Sequence, residues 1–349
     1  MTWLTWRQIR AQVWAAAGVL AVVSVVLALT GGHLADLYTA SGLGTCVAAD
    51  DCGRAQGVFA AGVQADDLRP FLYFAGIALM YLTPAVIGMF WGAPLVAREL
   101  EPGTLRLAWT QTVTRSRWLL VRLGLHALAA VLTTALLSLA VTRWAGPLDR
   151  AGGLPGHDQG LDLPNRFAPL VFGARDVVPV GHAAFAFVLG VAVGLLVRRA
   201  VAAMAVTLVI LAAVQVLVPA VVREHYRDPL STTTPLTVSG RPHQVRVDGQ
   251  VLAVSMPVDL PGAWITSVRT VDSTGRPYAG PVPEACTSPA FPPAECDAAI
   301  DRLRLGQLVT YQPAGRYWTF QWAETAGYLL LALGLTLLCA VWIRRLRLS

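Results

Sequence analysis

The chain has 349 residues, of which 55% are hydrophobic and only 14% charged, and its mean hydropathy is +0.55. Soluble domains carry about 25% charged residues, so the composition excludes an ordinary soluble enzyme and points to a membrane protein. The net charge of +6 is spread along the chain rather than striped on one face, which argues against a nucleic-acid partner.

Residues 1–10, "MTWLTWRQIR", set Trp3 and Trp6 beside Arg7 and Arg10. Trp favours the headgroup level and Arg an anionic leaflet, so the stretch reads as an interfacial helix leading into the first span. An ordinary span flank is the plainer alternative. Residues 11–32 are long enough to cross a bilayer, which takes about 20 residues of helix. Their apolar core exceeds that of a signal peptide and no small-x-small cleavage site follows, so the span is expected to be retained. Residues 33–70, Gly-rich and acidic, read as a loosely folded loop. The second span, 71–97, contains Pro84 and Pro94 and outruns the bilayer thickness, so it is expected to tilt or kink. A charged segment, 98–117, separates it from the third span, 118–142, which is free of charge from Leu123 onward.

The loop 143–176 ends in "NRFAPLVFGARDVVPVG", apolar enough to lie along the outer surface. Spans four, 177–197, and five, 200–222, are divided only by Arg198 and Arg199, the pattern of a tight helical hairpin. Residues 223–322 read as a small β-rich domain. In "HQVRVDGQVLAVSM" apolar residues alternate on either side of Asp248-Gly249, a hairpin signal. "AWITSVRTVDSTGRPY" offers a further strand, and a proline-rich loop leads into a short helix. Tyr311, Tyr317, Trp318, Phe320 and Trp322 then form an aromatic belt at the mouth of the sixth span, 323–343. The tail is 344–349.

The arginines orient this array. With the N-terminus in the cytoplasm, the inner segments hold 12 Arg against Glu99 and Glu101 alone, whereas the outer segments hold 15 Arg against 19 acids. Six spans with both termini cytoplasmic is therefore the positive-inside solution. The expected fold is an all-α polytopic membrane protein of six transmembrane helices, with a β-rich, disulfide-containing extracytoplasmic domain between helices 5 and 6. Cys46, Cys52, Cys286 and Cys296 all fall outside, where disulfides persist. Three pairings are open; Cys46–Cys52 and Cys286–Cys296, each closing a short loop, are favoured. A zinc site is the competing reading, weakened by the lack of metal-type C-x-x-C spacing. Cys339, inside the last span, reads as a packing residue.

Absences narrow the function. All 27 basic side chains are Arg, a bias that points to a GC-rich bacterial genome, and a P-loop needs a Lys. This chain therefore supplies no P-loop ATPase itself, and no cofactor is expected on it. The uncharged spans hold no Asp, Glu or Arg of the kind that ion-coupled transporters use, and His126 and His182 read as packing histidines. His225 and His243 lack a nucleophile or a metal partner at useful spacing, so no catalytic or metal site is expected. No inverted repeat is visible, and no span offers a decisive G-x-x-x-G face.

The segment "ARELEPGTLRLAWTQTVTRSRW", residues 97–118, carries the function. Glu99 and Glu101 precede a Pro-Gly turn; Thr104 is placed to cap a short helix, and Leu105, Trp109 and Val113 recur at four-residue spacing on one face. A plain positive-inside loop needs the arginines but neither the turn nor the apolar stripe. The segment resembles the signature of permease subunits of type-2 ABC (ATP-binding-cassette) exporters, in Glu99, Glu101, Gly103, Thr104, Ser116 and Arg117. The hairpin 189–210 and "YQPAGRYWTFQW" are similar to an actinobacterial-like subgroup. The long outer domain departs from the simplest members.

The resemblance implies a half-transporter in the bacterial plasma membrane. Two copies would pair, each docking a separate ATPase subunit that binds ATP and Mg. Glu99, Glu101, Gly103, Thr104, Leu105, Trp109, Ser116 and Arg117 would form the coupling helix in the ATPase groove, and Trp3, Trp6, Arg7 and Arg10 the interfacial helix. Apolar span walls suit a lipophilic or amphipathic cargo, and lipids are expected partners. The alternative is a non-transporting ABC-type protein that passes ATPase motion to its outer domain; a membrane anchor or sensor with no ATPase is the third reading.

Overall fold

Long apolar runs leave a chain no other way to satisfy its backbone in lipid than as helices, and six helices here are long and apolar enough to cross a membrane. They cover Ile9–Ala40, Leu68–Arg98, Val121–Ala151, Val178–Val197, Ala200–His225 and Ala314–Ile343. The computed structural model describes residues 2–46, 49–100, 115–154, 164–241, 243–248, 251–258, 260–287 and 293–345. The helices are α1 (Thr2–Ala40), α2 (Ala49–Gln64), α3 (Leu68–Val86), α4 (Ala93–Leu100), α5 (Arg115–Ala151), α6 (Val178–Val197) and α7 (Ala200–Leu217). The β-rich part holds β1 (Leu230–Pro235), β2 (Gln244–Asp248), β3 (Val251–Ser255), β4 (Trp264–Val271), α8 (Pro293–Arg302) and β5 (Gly306–Gln312), and α9 (Tyr317–Arg345) closes the chain.

α6 is apolar on every side, and nearly every side chain from Val178 to Leu195 is buried; it is the central post of the bundle. Between α3 and α4 the helix widens into a π-helical stretch, Ile87–Gly92, three residues beyond Pro84. That stretch crosses α6 through glycines. A Cβ on Gly92 would strike the Phe187 carbonyl, one on Gly190 the Gly88 carbonyl, and one on Gly194 the Ala93 carbonyl. Gly88-x-x-x-Gly92 and Gly190-x-x-x-Gly194 are thus a small-residue crossing that sequence reading overlooked, and it joins two spans of the same chain. Lipid offers no hydrophobic drive between helices, so such close backbone approach carries the cohesion instead. α1, α7 and α9 turn large apolar side chains such as Val22, Val209 and Leu330 outward.

Two expected loops are ordered differently. Residues 33–70 are mostly helical: α1 runs on to Ala40 and α2 carries Cys52 of the Cys46–Cys52 disulfide in its first turn. Ala55, Phe59 and Val63 recur at helical spacing, and the face they form is buried with Leu34, Tyr73 and Leu148. α5 likewise runs to Ala151. The stretch before α6, expected on the surface, is folded inward, with Phe167, Val171, Phe172 and Ala174 fully buried.

The β-rich part has a three-stranded antiparallel sheet, order β1-β5-β4, and a two-stranded hairpin, β2-β3. Leu230 pairs with Tyr311 and Trp264 with Gln312, with an irregularity between Ile265 and Ser267. The predicted hairpin forms, with Asp248 opposite Val251; its turn residue Gly249 lies outside the described residues. Leu236, Val238, Leu252, Val254, Ile300 and Leu305 make a separate small core. The Cys286–Cys296 disulfide lies against it and is worth roughly 2–3 kcal/mol for a loop this short. Asn165 donates to the Ala263 carbonyl at 2.9 Å, and Gln56 of α2 to the Ala151 carbonyl at 3.0 Å. Both disulfides therefore sit at one end of the bundle.

Candidate functional site

α4 and α5 frame the charged segment. Ala93, Val96 and Ala97 of α4 are buried within the bundle, and Glu99 is the penultimate residue of α4. Ser116 and Arg117 lie in the first turn of α5. Glu101, Gly103, Thr104, Leu105 and Trp109, on which the expected turn and short helix fall, lie outside the described residues. Trp3, Trp6, Arg7 and Arg10 are placed on the opening turns of α1, which runs unbroken into its span. The hairpin at the same end turns on Arg198, whose φ of 58° is left-handed, and its N–H donates to the Gly194 carbonyl to end α6.

At the opposite end a polar framework emerges that the sequence reading missed. Glu324 lies two turns inside α9, not at the edge of the uncharged run that starts at Thr325, because the helix begins at Tyr317 rather than where charge ends. Arg223, near the end of the fifth span, meets it in a bidentate pair: Nε donates to Oε2 at 2.8 Å and Nη2 to Oε1 at 2.9 Å. Nη1 donates to the Pro169 carbonyl at 3.1 Å, and the guanidinium lies 4.3 Å from the Phe172 ring centre. With both side chains about 97% or more buried, each charge is tolerated only because the other neutralises it. The signal available in the sequence was one unpaired charge of each sign flanking the last two apolar runs.

A second buried pair joins Arg175 to Asp149, Nε to Oδ2 at 2.8 Å, and the Tyr73 hydroxyl donates to Asp149 Oδ1 at 3.1 Å. Burial disfavours the Arg175 cation, but the adjacent Asp149 carboxylate outweighs it and holds the guanidinium above its usual pKa. Gln321 of α9 caps α6 from outside: Oε1 accepts from Val177 and Val178, while Nε2 donates to the Phe172 carbonyl at 3.1 Å. Asp176, at φ 54°, accepts the Tyr317 hydroxyl at 2.6 Å. The framework thus ties α5, α6, α7 and α9 together beneath the sheet.

The aromatic belt divides in two. Tyr317 and Phe320 are buried against Phe167, Phe172 and Trp264, whereas Trp318 and Trp322 are exposed. His126 stacks on Phe187, and its Nδ1 meets the Arg122 carbonyl at 2.8 Å; His182 stacks on Tyr328 at 4.7 Å. Both pack inside the bundle. His243 pairs with Asp297 at 2.9 Å. Among the described residues no group of three His, Cys, Asp or Glu is placed to hold a metal.

A helix locked to the central post leads into a charged segment at one end, and buried ion pairs clamp the helices at the other. The family model for "ABC-2 membrane transporter related" matches residues 17–223, more than half of the chain. The match takes in five spans and stops before the sheets and the last span. No curated protein and no solved structure matches.

Proposed function

Because the chain belongs to the ABC-2 membrane transporter related family, a membrane component that works with a separate ATPase subunit, we propose that it is the permease subunit of an ATP-driven exporter. In this reading two copies pair in the bacterial plasma membrane, and each docks an ATPase that binds ATP and Mg. Glu99, Glu101, Gly103, Thr104, Leu105, Trp109, Ser116 and Arg117 form the coupling element, with Trp3, Trp6, Arg7 and Arg10 alongside. The cargo is lipophilic or amphipathic and moves outward, towards the end that carries both disulfides. The arginine-only cation set supports a place in the actinobacterial-like subgroup.

The observation that carries the reading is the path of α4. It packs on α6 through glycine-to-backbone contacts and leads directly into the charged segment, so a push on that segment reaches the centre of the bundle. The test is co-purification with a P-loop ATPase encoded beside this chain, followed by uptake into inverted vesicles. Glu101→Ala combined with Gly103→Pro is expected to abolish ATP-dependent uptake while the protein stays in the membrane. A chain that never retains an ATPase, or a double variant that transports normally, overturns the reading. A second reading, transmission of ATPase motion to the outer domain without transport, is favoured by that domain's separate core and disulfide. It gains if the ATPase binds but no cargo ever accumulates.

A further inference from the structure

Between α1 and α5, at the end of the bundle that carries the disulfides, lies a groove of about 650 Å³. Its α1 wall is made mostly of small residues on one face, Ser24, Ala28, Gly31, Gly32 and Ala35, with Leu27 beside them. Its α5 wall carries Arg143 and Arg150, seven residues and so two turns apart, about 10 Å along the helix on one face. Trp144 lies between them with its indole N–H committed to Thr30 Oγ1 at 2.9 Å, so the ring presents a packed apolar surface. Among the described residues no acidic side chain lines the groove.

Both arginines are exposed. Arginines at the end of a span ordinarily snorkel into the headgroups. Here Arg150 is fixed as well as exposed: its Nε donates to the Gly146 carbonyl at 3.1 Å, and its guanidinium lies 4.9 Å from the Tyr38 ring centre. Two cations and an apolar trough of ligand size match an anionic amphiphile of the bilayer.

We propose that this groove is a binding site for an anionic phospholipid, its phosphate held by Arg143 and Arg150 and an acyl chain lying in the α1 trough. On the orientation argued above, the lipid comes from the outer leaflet. The site requires neither the ATPase nor a cargo, so its failure leaves the transport reading standing.

The test uses the full chain purified in neutral detergent, with phosphatidylglycerol as probe and phosphatidylcholine as control. Phosphatidylglycerol is expected to raise the unfolding midpoint by about 5 °C near saturation. Native mass spectrometry should show one such lipid retained per chain. Arg143→Gln with Arg150→Gln should weaken retention at least about tenfold. Gly32→Trp tests the trough separately: a Cβ there meets nothing within 4 Å, so the ring extends into the groove and should displace the lipid without lowering the lipid-free midpoint. Equal stabilisation by phosphatidylcholine, or unchanged retention in either variant, overturns the proposal. A disulfide-linked dimer formed by Gly32→Cys would also overturn it, since a second copy would then cover the groove.

Discussion

Glu324 and Arg223 show what one residue contributes inside a bilayer. Each alone would be a bare charge among aromatic rings; together they form two parallel charge-assisted hydrogen bonds, and a third guanidinium nitrogen reaches Pro169. Removing one member of such a pair costs more than the pair ever contributed, because the survivor stays buried and unmatched. Glu324→Gln is therefore expected to destabilise the protein by about 3 kcal/mol or more, read as a lowered unfolding midpoint in detergent. Arg223→Met combined with Glu324→Leu should recover most of that loss. A residue of about 1 kcal/mol should remain, since the Pro169 carbonyl then lacks its donor. If the double variant is worse than Glu324→Gln, the two side chains do not act as one neutral unit.

At the scale of elements, the α3–α4 helix and α6 meet where side chains are missing. Gly92→Ala and Gly190→Ala each drive a methyl group into a facing carbonyl, and overpacking of this kind typically costs about 1–3 kcal/mol. Gly124→Ala in α5 meets nothing within 4 Å and should leave stability unchanged or raise it by up to about 1 kcal/mol. Thermal unfolding of the three variants side by side checks the contrast, and equal midpoints would rule out a backbone-to-backbone crossing. Helices such as these were legible in the sequence because an apolar run of 20 residues has few alternatives. The glycine crossing was not, because G-x-x-x-G spacing gives no hint of which helix it faces. α2 was hidden by its Gly and Asp residues, which lower helix propensity; only burial of Phe59 and Val63 against α1 and α3 overrides that. The Glu324 error had a similar root. Charge marks the end of a span only if the charge meets water, and pairing with Arg223 removes that premise.

Across the whole molecule, the positive-inside orientation sets which cysteines an impermeant reagent can reach. An impermeant reductant followed by an impermeant maleimide should label Cys46, Cys52, Cys286 and Cys296 in intact cells. A cysteine introduced by Arg198→Cys should react only after the membrane is opened. The reverse pattern would invert the array and place the charged segment outside, away from any ATPase. The charged segment is read from the sequence as residue types, a turn and an apolar stripe between two spans, and the turn and stripe lie outside the described residues. Its counterpart at the far end was not legible, because the buried pairs bring together residues 26 and 101 positions apart in the chain, and no local pattern announces a contact of that range.

The π-helical stretch Ile87–Gly92 adds something that neither packing nor charge supplies: a rotational phase. In an α-helix each residue advances the azimuth by about 100°, and a π-turn takes in one residue more than the α-turn it replaces. Returning Ile87–Gly92 to α geometry would therefore swing Arg98 and Glu99 about a third of a revolution around the helix axis, with no residue changed and little translation. The helix that feeds the charged segment is thus indexed like a crank. Its angular setting is stored in six residues deep in the bilayer, and the two glycines that bound them, Gly88 and Gly92, hold that setting against α6.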